Sequence, residues 1–105
     1  MTQPIKYSIA LPSACGAHQV KLDENNNVVV DWYDLGEDVP YESANTLVFY
    51  PSAQSKLWAA LGLHGSATPR ALVNALSGRF SSYWEIKAFA DHVDAPYEKT
   101  VDFSP

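Results

Sequence analysis

Apolar and polar residues alternate through the first half of the chain and recur at helical spacing through the second. In Ile5-Lys6-Tyr7-Ser8-Ile9-Ala10-Leu11, alternation places Ile5, Tyr7, Ile9 and Leu11 on one face of a strand. Pro12 and Gly16 punctuate the loop that follows. His18-Gln19-Val20-Lys21-Leu22 alternates again, and Val28-Val29-Val30-Asp31-Trp32-Tyr33 has the β-branched and aromatic content of a strand. Between them, Glu24-Asn25-Asn26-Asn27 predicts a hairpin turn, because Asn tolerates positive φ and bonds its own backbone. Pleating then assigns Val28, Val30 and Trp32 to the core face and turns Asp31 and Tyr33 outward. Residues 36–45 read as a polar loop carrying Pro40. Thr46-Leu47-Val48-Phe49-Tyr50 reads as a short buried strand, stopped by Pro51.

Beyond Pro51 the period changes. Ser52 is the expected N-cap of a first helix, Leu57, Trp58 and Leu61 form its apolar stripe, and Gly62 ends it. Thr68 before Pro69 signals a second helix, with Leu72, Val73 and Leu76 inward up to Gly78. Ser82-Tyr83-Trp84-Glu85 fits a capping box and opens a third, whose apolar face is Ile86, Phe89, Ala90 and Val93. Residues 97–103 alternate and return to the sheet as an edge strand.

Strands, then helices, then one strand define the α+β class. The expected architecture is a small antiparallel sheet of about four to five strands with two or three helices packed on one face. A length of 105 residues, without internal repeats, fits a single domain over residues 1–105.

Charge changes the picture more than composition does. The formal net charge of −5 argues against direct nucleic-acid binding and against docking on anionic membranes, both of which require a basic footprint. A negative field favours a basic partner. Cys15 is the single cysteine, which removes any internal disulfide framework and fits a reducing, cytoplasmic setting. The opening residues lack a signal-like apolar run, and no segment approaches the about 20 apolar residues of a membrane span.

Motifs for chemistry are sparse. Cys15 and His18 bring a thiol near an imidazole, but no cysteine-enzyme signature surrounds them, and Cys15 alone suits a small buried hydrophobe. Adding His64 and His92 gives no paired spacing of zinc ligands, so neither a metal nor a cofactor is expected. Asp23, Asn25 and Asn27 imitate the first ligands of a calcium loop, yet Val28 occupies the position that requires Gly. The paired helices around residue 65 suggest a helix-turn-helix only superficially, since the second offers just Arg70 and Asn74 for DNA. No catalytic residue emerges.

What remains is residues 23–42, DENNNVVVDWYDLGEDVPYE, with seven carboxylates and no Lys or Arg. The turn and the core face of the strand account for much of it. Asp31, Tyr33, Asp34, Glu37, Asp38, Tyr41 and Glu42, joined by Trp84 on the outer face of the third helix, form the expected partner-binding set, because Tyr and Trp anchor interfaces and carboxylates select cations. The expected function is a non-enzymatic interaction module that docks on a basic protein surface, such as that of a nucleic-acid-binding protein. Small acidic inhibitors encoded by phages or mobile elements share its size and charge. Two alternatives are a structural or virion subunit forming a homo-oligomer through residues 97–103, and a small enzyme or ligand-binding domain with a scattered site.

Overall fold

The computed structural model describes residues 5–12, 17–34, 42–63 and 68–104, with side chains described for all of these except 33–34, 42–44 and 101–104. Five strands, β1 (Ile5–Ala10), β2 (Ala17–Asp23), β3 (Val28–Asp34), β4 (Glu42–Phe49) and β5 (Glu98–Ser104), pair antiparallel in sequence order. Helices α1 (Pro51–Leu61), α2 (Pro69–Arg79) and α3 (Tyr83–His92) fall between β4 and β5 and cover one face of the sheet. The fold is α+β, as the order of periodicities predicts.

The β2–β3 turn is fixed by Asp23, whose Oδ1 accepts from the backbone N–H groups of Asn25 and Asn27 at 2.9 Å each. Its Oδ2 accepts from the Asn27 amide at 3.0 Å, and Asn26 takes the left-handed conformation at φ 62°. The carboxylate that imitated a calcium ligand is thus consumed by the turn. Burial alternates along β2 as far as Leu22 and along β3 as far as Val30, so Val20 and Leu22 meet Val30 and Val28 across the ladder, under the helices.

Two strand expectations fail for identifiable reasons. Ile5 does not join Tyr7, Ile9 and Leu11 against the core, because a bulge between Ile5 and Tyr7 pairs Ile5 with Asp23 and transfers it to the opposite face. It is 45% exposed. Glu42, Ser43, Ala44 and Asn45, read as loop, belong to β4, because pairing with β5 from Glu42 onward and with β3 from Ser43 onward overrides their weak strand propensity.

Each helix start has its own solution to the unpaired first N–H groups. In α1 the N-cap is Tyr50 rather than Ser52: Pro51 stands at the first position with φ preset, and no side chain caps it. Thr68 Oγ1 accepts from Ala71 N–H at 3.1 Å to start α2. Ser82 Oγ accepts from Glu85 N–H at 3.3 Å to start α3, while Glu85 reaches back to the Ser81 hydroxyl at 2.6 Å. Gly62, at φ 73°, closes α1 in the left-handed cap.

The helices bury Leu57, Leu72, Val73, Leu76 and Ile86 against Val20, Val28, Val30, Leu47 and Phe49, all at zero exposure. Burying each contributes about 1.5–3 kcal/mol, enough to hold the layers without metal or disulfide. Arg70 stacks 4.3 Å over the Tyr7 ring and Asn74 accepts from the Tyr7 hydroxyl. The two α2 side chains that a DNA-reading helix would need are therefore committed to β1.

Beyond α3, Tyr97 donates to Asp91 Oδ1 at 2.7 Å and Lys87 donates to Asp91 Oδ2 at 3.1 Å, tying α3 to the segment that leads into β5. The Tyr97 hydrogen bond first, then that of Lys87, holds the Asp91 carboxyl below its ordinary range. In Tyr97→Phe, side-chain NMR titration should therefore show Asp91 protonating at higher pH. A lowered carboxyl pKa stabilises the fold above the unfolded value and is lost as pH falls through the folded one. The stability difference between the variant and the wild type should accordingly vanish in strong acid.

Candidate functional site

The end of the sheet where β2 begins and β3 finishes carries an aromatic cluster. His18 on β2 pairs across the ladder with Trp32 on β3, both on the helix side, with ring centroids 5.8 Å apart. The start of α3 lands on this pair: Tyr83 N–H donates to His18 Nδ1 at 2.8 Å. His18 is 2% exposed, so this accepting ring nitrogen satisfies a buried amide of the helix start. That contact sets where α3 sits.

With α3 placed, Trp84 packs edge-on against Trp32 at 5.1 Å and against Tyr83 at 4.9 Å. Tyr83 is fully buried and its hydroxyl has no hydrogen-bond partner among the described residues; burial pushes its pKa up. Trp84 itself is 49% exposed, with a side chain supported from beneath by two aromatic rings. Such support lowers the entropy lost when a partner covers the indole.

β3 runs from Trp32 into Tyr33 and Asp34, and β4 resumes at Glu42 beside it, with Asp34 paired to Ser43. The backbone of Tyr33, Asp34 and Glu42 thus belongs to this same end of the sheet, and the side chains of these three lie outside the described residues. Glu37, Asp38 and Tyr41 lie outside the described residues entirely.

Asp31 requires a correction. It lies on the sheet face away from the helices, as pleating predicts, but it does not project into solvent: it is 5% exposed and its Oδ2 accepts an ion pair from Lys21 Nζ at 2.8 Å. A residue in the central strand of five is flanked on both sides, here by Gln19 and Thr46, and a short side chain is shielded there. It is withdrawn from the contact set. Trp84 is where the helical spacing placed it.

His18 was expected, if anything, as a partner for Cys15, which lies outside the described residues. Its real task, capping α3 from another element, leaves no local sequence signal. Among the described residues no group of three or more His, Cys, Asp or Glu is placed to hold a metal ion. No helix among them is long and apolar enough to cross a membrane. No protein-family model matches the chain, and no curated protein or solved structure matches it.

Proposed function

We propose that this protein is a non-enzymatic interaction module that docks its aromatic and acidic end on a basic surface of a partner protein. The observation that carries the reading is Trp84, half exposed and braced by Trp32, which directly precedes the carboxylate-bearing stretch in the chain. An exposed indole accepts an Arg or Lys side chain over its face, and neighbouring carboxylates supply the charge-assisted hydrogen bonds. A groove evolved to hold nucleic-acid phosphates presents this combination of cations, which makes a nucleic-acid-binding protein the favoured target class. The carboxylates accelerate encounter, and burial of Trp84 sets the lifetime of the complex.

Trp84→Ala tests the anchor. The side chain is exposed, so the fold should survive, while affinity for a partner recovered from the native host should fall by about 2 kcal/mol or more, mainly through faster dissociation. Surface plasmon resonance at two salt concentrations measures both aspects. An unchanged dissociation rate in Trp84→Ala, or affinity indifferent to salt, would remove this reading.

A further inference from the structure

On the helix side of β4, Leu47 and Phe49 are fully buried, and Asn45 continues their column toward the aromatic end of the sheet. A polar side chain thus stands where the packing pattern calls for an apolar one. Asn45 is 8% exposed, and its amide makes no hydrogen bond among the described residues. An amide at such depth without a partner costs stability, so its presence asks for a use. Register pairs Asn45 with Trp32, which is itself only partly buried. His18 and Asn45 therefore flank the Trp32 indole from the two neighbouring strands, and His18 is committed to the Tyr83 amide. Paired residues of antiparallel strands hold their side chains about 4.5–5.5 Å apart, which puts the Asn45 amide beside the Trp32 ring. Trp84 packs on that same ring at 5.1 Å. One indole adjoins both the half-exposed anchor and an amide with hydrogen-bonding capacity to spare.

We infer, on the reading of Trp84 as the docking anchor, that Asn45 is the polar half of that site and that the two select an arginine of the partner. The guanidinium lies over the Trp84 indole and donates an in-plane N–H to Asn45 Oδ1. A guanidinium is planar, weakly hydrated and carries its donors at its rim, so it stacks and hydrogen-bonds at once. An ammonium must choose between ring and oxygen. The molecule itself holds both cases. Arg70 lies 4.3 Å from the centre of the Tyr7 ring, in stacking contact. Lys87 stands 6.0 Å from the centre of the Tyr97 ring, with its ammonium drawn to Asp91 at 3.1 Å. Two local charges bear on a cation at Trp84: the positive end of α3 repels it, and Glu85, exposed in the first turn, offsets that repulsion. A neutral amide suits the depth of Asn45 better than another carboxylate, since burying a second charge is costly.

Hexa-arginine and hexa-lysine peptides, equal in charge, separate the two chemistries. In heteronuclear NMR of the intact chain, hexa-arginine should shift both the Trp84 indole N–H and the Asn45 side-chain amide. It should also bind about tenfold more tightly than hexa-lysine at the same salt concentration. Hexa-lysine should leave the Asn45 amide unmoved. Asn45→Ala should erase the preference by weakening hexa-arginine alone, and should that variant fail to fold, the Asn45 shift in the wild type decides. Equal affinity for the two peptides overturns the inference, and so does an Asn45 amide that hexa-arginine fails to shift. Neither result touches Trp84 as an anchor, which falls instead if Trp84→Ala binds both peptides as tightly as the wild type.

Discussion

His18→Ala is expected to destabilise the fold by about 3–4 kcal/mol, a large share of the about 5–15 kcal/mol available to a domain of this size. Two losses combine. The Tyr83 amide, buried at the first position of α3, loses the acceptor that holds it at 2.8 Å, and an unpaired buried donor costs about 1–3 kcal/mol. The departing ring also leaves a cavity beside Trp32, and large-to-small core changes cost about 2–5 kcal/mol, with partial collapse keeping the sum below full addition. Urea denaturation should show a lower midpoint at unchanged slope. His18→Leu restores most of the volume without the acceptor, so it should fall between the wild type and His18→Ala. If His18→Ala loses under about 1 kcal/mol, the amide finds another acceptor and His18 does not set the position of α3.

The second large effect concerns binding. Reversing Asp34, Glu37 and Asp38 to Lys together changes the formal charge by six, from −5 to +1, since each of three substitutions shifts it by two. Rim charges govern encounter, and like-charge juxtaposition with a basic partner costs several kcal/mol. Binding should fall beyond detection while the thermal midpoint stays close to that of the wild type, since none of the three supplies apolar core. The salt response should also invert, because screening at about 10 Å in 0.1 M salt now relieves repulsion. Retained affinity in this triple variant would dismiss the acidic segment as a binding element, whatever Trp84 contributes.

The sequence was most informative where one residue type has one local physical use. Asn26 at positive φ, Thr68 ahead of Pro69 and Ser82 ahead of Glu85 each act within four residues of themselves, so their elements follow directly from the chain. Features that depend on distant neighbours were not legible. The β1 bulge is fixed by pairing with Asp23, and the early start of β4 by two flanking strands. Asp31 has a polar identity, but its burial comes from its central place in the sheet and from Lys21 on β2. His18 is the clearest case, since its partner is 65 residues away in sequence. In the candidate site, the exposure of Trp84 followed from helical spacing, whereas its support by Trp32 came only with the fold.

The chain order of the sheet has a consequence for how the molecule assembles. Pairings from β1 to β4 join neighbours along the chain and close short loops, while β4 and β5 are separated by all three helices. Loop-closure entropy rises with the length enclosed, so nearly all the non-local cost of assembly sits in the last pairing. The four-stranded meander is therefore the part of the sheet with the lowest closure cost. Without the helices its face would expose Val20, Val30, Leu47 and Phe49, and without β5 it would leave β4 as an open edge. Residues 98–104 thus act as a latch: the edge most prone to recruit a stray strand is sealed by the strand whose pairing encloses the longest loop.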